Sequence, residues 1–321
     1  MRSYVSLCLL CYLLFLLVPL PFSADKPSDT APPTTKPSTV TTAPNVQTED
    51  FRVLDAGANV VYTFDKRDFL IYTVAAEMPA SYPVEAIKAQ AVASYTYYTY
   101  QKNRKLDGLH GAHFADPPSS FPESYSAESL KKRWGKNYET YLKKIADAVD
   151  AVDGEMVRFE GEPIFAAYHS CNGGRTEDAK TVWGVDYRYL QSVNSSGDTL
   201  SPHAASSVTV SDKEFAAAFP DLQLEGDATT WITGKPVVSE AGTVTAITIG
   251  GKEFSGRDVR TAFSLKSACF TVTHGEDGFT FAVRGYGHGV GLSQYGAKVL
   301  ADQGFTYKEI LQHYYTDTKI S

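Results

Sequence analysis

Glu77-Met78-Pro79-Ala80-Ser81-Tyr82-Pro83 joins an apolar run, Phe69-Leu70-Ile71-Tyr72-Thr73-Val74-Ala75-Ala76, to a patterned segment running from Val84 to about Tyr100. Pro79 biases Met78 away from helical angles, so the first segment should end there. Pro83 suits the first turn of a helix, where its missing N–H is not needed. Val84, Ile87, Ala91, Tyr95 and Tyr98 then recur three and four apart and mark one buried helix face. Glu77 is a carboxylate held at a sharp junction among apolar neighbours. Such surroundings disfavour the charged form, raise a carboxyl pKa and suit a general acid. The competing reading is an ordinary solvated glutamate at a helix end.

Upstream, Val53 to Phe64 has strand composition, and Asp65 to Ala76 fits helix or strand. Residues 25–48 are rich in Pro, Thr and Ser and read as an extended linker. Before them, Arg2 precedes an uncharged apolar run from Val5 to Phe22. This is an export signal in form, and both a cleaved signal peptide and an uncleaved membrane anchor over residues 1–24 fit it. The folded part should then occupy residues 49–321, outside the cytoplasm, in or at the cell envelope.

The chain has 321 residues, enough for one large domain or two smaller ones. Its net charge is −7, and no basic stripe appears, so no nucleic-acid partner is expected. Of its four cysteines, Cys8 and Cys11 lie in the apolar leader. Cys171 and Cys269 remain for the folded part; they could pair in an oxidising compartment, but two cysteines do not make a disulfide framework.

Downstream, Tyr138 to Val149 carries a helical pattern with Asn137 as a plausible N-cap. Met156 to Phe159 and Pro163 to Tyr168 flank a Glu160-Gly161-Glu162 turn and read as a hairpin. The hairpin delivers Tyr168-His169-Ser170-Cys171-Asn172-Gly173-Gly174-Arg175-Thr176-Glu177, small and polar residues crowded at a strand exit. Ser211 and Glu214 make a capping box for a short helix ending near Pro220. Thr243 to Ile249, Gly250-Gly251 and Lys252 to Phe254 give a second hairpin signal. In Arg284-Gly285-Tyr286-Gly287-His288-Gly289-Val290-Gly291-Leu292-Ser293-Gln294, glycines at every second position suggest a strand with one bare face. A helix should follow, and a last one, about Tyr307 to Tyr315, should close the fold. The pattern as a whole predicts an α+β fold: helices around the Glu77 junction and β-hairpins carrying the His169 and His288 motifs, meeting at one groove.

Several chemistries can be weighed on spacing. Gly285-x-Gly287-x-Gly289 lacks the dinucleotide fingerprint, and Ser293 is not in a nucleophile elbow. Cys171 near His169 would need a converging base such as His288 to act as a nucleophile, and a structural cysteine is the simpler reading. His110, His113, His169 and Cys171 are zinc-ligand types, but their spacing matches no closed structural site.

Taken together, the motifs resemble the stage II sporulation protein D family. The resemblance rests on three stretches in order. The first is Ala76-Glu77-Met78-Pro79-Ala80-Ser81-Tyr82-Pro83-x-Glu85-Ala86-x-Lys88-Ala89-Gln90-Ala91-Val92-Ala93. The second is His169-Ser170-x-x-Gly173-Gly174-x-Thr176-Glu177 with Val182-Trp183-Gly184. The third is Gly287-His288-Gly289-x-Gly291-x-Ser293-Gln294-x-Gly296-Ala297. It implies a membrane-anchored lytic transglycosylase acting on peptidoglycan glycan strands during engulfment, with Glu77 at the position of the family's catalytic glutamate. It makes Tyr82, Tyr168, His169, Ser170, Arg175, His288, Ser293 and Gln294 candidate substrate-contacting residues, with Tyr95 a further ring for stacking. The same domain family includes amidase enhancers, so a non-catalytic activator of a cell-wall amidase is the alternative.

Two departures stand out. Some relatives carry a zinc site in the loop after the first helix, where this chain has Ala115-Asp116-Pro117-Pro118-Ser119-Ser120-Phe121. That argues against zinc, and no cofactor is expected. Relatives also commonly have Arg where Tyr95 stands; a missing groove cation would either weaken substrate placement or shift that role to Arg175.

Overall fold

The computed structural model describes residues 49–116 and 126–321. The leader, the linker over 25–48 and most of the loop compared with the zinc-bearing relatives lie outside the described residues. The fold is α+β.

Strands β1 (Asp50–Asp55) and β2 (Val60–Asp65) form an antiparallel hairpin, and β3 (Phe114–Asp116) lies parallel to β1. The segment that fitted helix or strand is helix α1 (Lys66–Glu77). Asp65 caps it by accepting from the N–H groups of Arg67 and Asp68. It ends as the proline rule requires, with Met78 extended at φ −127°, ψ 137°. Pro83 sits one residue earlier than expected, at the N-cap of α2 (Val84–Asn103) rather than inside its first turn.

Helix α2 is the centre of the larger core. It has no single buried face: every residue from Ala89 to Thr99 is buried. Small residues at Ala89, Ala93 and Ser94 let neighbours close in where the periodic pattern predicts solvent. Those neighbours are α1, α4 (Tyr138–Asp150), α8 (Gln294–Asp302) and α9 (Tyr307–Tyr314), while α3 (Ala127–Trp134) packs on α4. An aromatic cluster fastens β1 to the helices, with ring centroids of Phe51 and Phe69 4.8 Å apart, Phe69 and Tyr98 4.8 Å, and Tyr98 and Phe114 4.7 Å. Burying each such ring stabilises the fold by about 2–3 kcal/mol. Asn137 stands at the start of α4 but makes no side-chain cap bond, because a 3-10 turn leads into the helix.

The first predicted hairpin is present but shorter. Strands β4 (Val157–Phe159) and β5 (Glu162–Pro163) pair across Glu160-Gly161, both at positive φ, as a tight hairpin turn demands. Tyr168–His169 leave that sheet and form β6, which runs parallel to β13 (Leu292–Ser293). An antiparallel bridge from Cys171 to Tyr286 and a parallel one from Glu177 to Val290 tie the two small-residue motifs together at further points. A short helix, α5 (Ala179–Trp183), follows the first motif, and β14 (Lys319–Ile320) returns to pair with β4.

Between the motifs lies a second core. Strand β9 (Val244–Ile249) pairs with β8 (Ile232–Val238) and, through Gly250-Gly251, with β10 (Lys252–Phe254). Strand β12 (Gly278–Arg284) lies between β7 (Ala205–Val210) and β11 (Phe270–Gly275). Helix α6 (Asp212–Ala217) has the predicted capping box with both bonds made, and α7 (Gly256–Ala262) has another from Ser255 and Asp258. Phe215 fills the centre, its ring 3.9 Å from that of Phe279.

The glycine-rich stretch is not a bare-faced strand. Gly285, Gly287, Gly289 and Gly291 all have positive φ, so the chain advances by successive turns. At Gly287 (φ +115°) a Cβ would lie 2.8 Å from the Cβ of His169. The missing side chain lets the two motifs touch.

Candidate functional site

Glu77 is the last residue of α1 and is half-buried. Two distant cations hold its junction. Arg133 donates from Nη1 to the Ala75 carbonyl at 2.8 Å, filling one of the acceptors that a helix C-terminus leaves open. Lys144 donates from Nζ to the carbonyls of Ala80, at 3.0 Å, and Tyr82. The turn closes with the Tyr82 N–H on the Pro79 carbonyl at 3.0 Å. Neither cation had a local sequence signal, because each acts across more than fifty residues of chain.

The junction forms one wall of an open cleft of about 630 Å³. Facing walls come from Trp134 and Tyr141, from Tyr168 to Ser170, from Tyr286 to His288, and from Gln294 and Tyr295. Among the described residues lining it, Glu77 is the single carboxylate, and Arg133 and Arg260 are the cations. The walls are rich in Tyr and Trp, the side chains that present flat faces to sugar rings. Tyr82 and Tyr295 meet edge to face at 6.3 Å, and burial pushes the Tyr82 phenol up to about 12.

The two histidines are neutral and fully committed. His169 Nδ1 faces the Val290 carbonyl at 3.1 Å, which can only accept, so that nitrogen carries the proton; Nε2 then accepts from the Asn172 amide at 3.3 Å. His288 uses the other tautomer, with Nε2 donating to the Tyr168 carbonyl at 2.9 Å and Nδ1 accepting the Val290 N–H at 3.1 Å. Burial holds His169 at about 4, and burial with the neighbouring His169 ring keeps His288 well below its ordinary value. They brace the crossing of the two motifs and offer no free base.

The remaining sequence candidates divide. Tyr82, Tyr168, Ser170 and Gln294 line the cleft, Gln294 with its amide 3.3 Å from Gln90 Oε1. Ser293 does not line it: it is fully buried, donates to Asp198 at 2.7 Å and accepts the Gly296 N–H as the N-cap of α8. Arg175 also lies elsewhere, bonded to Ser192 at 2.9 Å and near Glu240 at 3.4 Å, in a smaller cavity of about 260 Å³. Tyr95 is buried against Phe51 with its hydroxyl on Glu49 at 2.7 Å, so it is a packing residue at this position and supplies no cleft wall. The cations of the Glu77 cleft are Arg133 and Arg260, which sequence pattern alone did not single out.

Cys171 and Cys269 are free and buried, and burial pushes both thiols up, away from a reactive thiolate. Among the described residues no three His, Cys, Asp or Glu side chains converge as metal ligands. His113 instead accepts from the Arg52 backbone N–H at 3.1 Å.

Fold and site define an α+β protein with an aromatic-walled cleft around one carboxylate. The family model described as Stage II sporulation protein matches residues 55–159. The stage II sporulation protein D of Bacillus subtilis (strain 168) is 33% identical over 330 residues, covering 99% of this chain and 95% of that relative. The stage II sporulation protein D of Bacillus amyloliquefaciens is 36% identical over 79% of this chain and 73% of its own length. The amidase enhancer of Bacillus subtilis (strain 168) is 28% identical over 76% of this chain and 39% of its own length. The chain belongs to the stage II sporulation protein D family.

Proposed function

We propose that the protein is a lytic transglycosylase that cuts peptidoglycan glycan strands during sporulation, with Glu77 as its acid and base. The observation that supports this reading is a carboxylate, the single one among the described residues of the lining, at a firmly held junction in an aromatic-walled cleft. Hydrolytic glycosidases commonly need two carboxyl groups, one of them to activate water or attack the sugar. A transglycosylase needs one. Protonated Glu77 gives its proton to the oxygen between N-acetylmuramic acid and N-acetylglucosamine as that bond breaks. The resulting carboxylate takes the proton from the muramic acid 6-hydroxyl as its oxygen bonds to the anomeric carbon. The product is a 1,6-anhydro end, no water is consumed, and Glu77 is returned protonated. This chemistry uses the carboxyl group and the substrate's own hydroxyl, and we assign no metal or organic cofactor.

The cell envelope is the site of action we infer, with the apolar segment over residues 1–24 as signal or anchor. Among the described residues no helix is long and apolar enough to cross a membrane. A second reading is supported by the relative named amidase enhancer: the protein binds the strand and activates a cell-wall amidase without cutting it. Anhydro-muramic ends released from peptide-stripped strands by the native chain, and not by Glu77→Gln, distinguish the two. An activator without catalysis leaves no such ends and keeps its function in Glu77→Gln.

A further inference from the structure

Beside the Glu77 cleft lies the smaller cavity of about 260 Å³, and arginine dominates it. Arg175 enters from the first small-residue motif, Arg257 and Arg260 from α7, and Arg284 from the end of β12. Two carboxylates, Glu177 and Asp258, line it with them, so four positive charges face two negative ones. Asp258 is committed to its own helix, where one oxygen accepts the Ser255 N–H at 2.9 Å and hydroxyl at 2.7 Å. Glu240 reaches Arg175 at 3.4 Å from an exposed position, where an ion pair is weak. Arg260 is 4% exposed and uses only its Nε, which donates to the Leu265 carbonyl at 3.1 Å. Burial and the nearby Arg257 both work against its charge. Arg284 lies against the Cys269 thiol, and among the described residues neither Arg260 nor Arg284 makes an ion pair. A buried cation is normally paired. Glu177 is the converse case. It is 3% exposed, its Oε1 accepts from the Ser239 hydroxyl at 2.6 Å and the Thr243 N–H at 3.3 Å, and its Oε2 has no partner among the described residues. The cavity thus combines a surplus of positive charge and N–H donors with one acceptor that lacks a proton to bind.

We propose that this cavity is a binding site for inorganic phosphate. Hydrogen phosphate combines the two properties the lining calls for. Its charge cancels the surplus, and its bare oxygens match the paired N–H groups of guanidiniums. Its remaining P–OH donates to Glu177 Oε2, which can only accept. Sulfate and the dianion of a phosphomonoester keep the charge and lose that proton. Gly287, His288 and Arg260 belong to both the cavity and the cleft, so the bound ion joins the second core and the first motif to the wall of the cleft. Nothing in this site depends on the chemistry at Glu77.

Isothermal titration calorimetry and thermal melts of the full chain test it, with phosphate, sulfate and methyl phosphate compared at slightly alkaline pH and constant ionic strength. Phosphate should bind at one saturable site, tighter than about 1 mM, and raise Tm. Sulfate and methyl phosphate should bind at least about tenfold more weakly, because Glu177 Oε2 would face an oxygen of like charge. Glu177→Gln should abolish that preference, since an amide can donate where the carboxylate only accepts. Arg284→Gln should weaken phosphate at least about tenfold, and Arg257→Gln replaces it if it fails to fold. If no variant folds, the comparison of the three ions on the native chain decides. The three ions bound alike by the native chain, or a preference that survives in folded Glu177→Gln, overturns the assignment. Phosphate binding untouched in the folded arginine variants, or no saturable binding at all, overturns it equally.

Discussion

Replacing Gly287 with alanine should destabilise the protein by roughly 2–6 kcal/mol. The backbone there has φ +115°, which an L side chain rarely adopts, and the new Cβ would stand 2.8 Å from the Cβ of His169. The strain contributes about 1–3 kcal/mol. The overlap adds a similar amount, because His169 cannot retreat: both of its ring nitrogens are bonded and its side chain is buried. Gly184 supplies the control. It has φ +72° but nothing within 4 Å of an added Cβ, so Gly184→Ala should show backbone strain alone, about 1–2 kcal/mol. Thermal melts followed by circular dichroism would compare the two, with Gly287→Ala melting lower than the control by several degrees. Equal losses, within about 0.5 kcal/mol, would refute the claim that these glycines exist to let the two motifs touch.

Lys144→Met should loosen the Glu77 junction by removing the donors to Ala80 and Tyr82, at about 1–3 kcal/mol, and hydrogen exchange at the Tyr82 amide should speed up more than exchange in α4. Burial pushes the Asp198 carboxyl from 3.8 to about 6, so the folded chain holds that proton more tightly than the unfolded chain, and its contribution to stability falls as pH rises from about 4 to 6. His169, held at about 4, acts in the opposite sense, losing stability as pH falls from 6.5. Asp198→Asn should therefore steepen the acid loss of stability, seen as a larger drop in Tm between pH 7 and pH 5 than in the native chain. Iodoacetamide should label neither Cys171 nor Cys269 in the native protein and both after denaturation, as peptide mass spectrometry would report.

Local chemistry made the Glu77 junction legible, because a proline two residues on fixes Met78 as extended. Tight turns at Glu160-Gly161 and Gly250-Gly251, and the capping box of Ser211 and Glu214, were equally local. The same signal stands at Ser255 and Asp258 and at Thr306 and Glu309, where the structure also has capping boxes. What sequence could not supply was long-range. Arg133 and Lys144 act on a turn more than fifty residues upstream, and Arg260 crosses from the second core to a cleft built by the first. Periodicity failed in α2 because a central helix is covered on all sides, and small residues there mark contact, not solvent. Ser293 and Arg175 sit within motifs that reach the cleft, yet their side chains serve a helix cap and a neighbouring cavity.

Glycan strands stripped of peptides, incubated with the full chain and with Glu77→Gln and analysed by mass spectrometry, test the role of Glu77 directly. The native chain should release 1,6-anhydro-muramic ends, and Glu77→Gln should bind the strands but release at least about a hundredfold fewer. Anhydro ends from Glu77→Gln at the native rate, or reducing ends from the native chain through uptake of water, would contradict single-carboxylate transglycosylation.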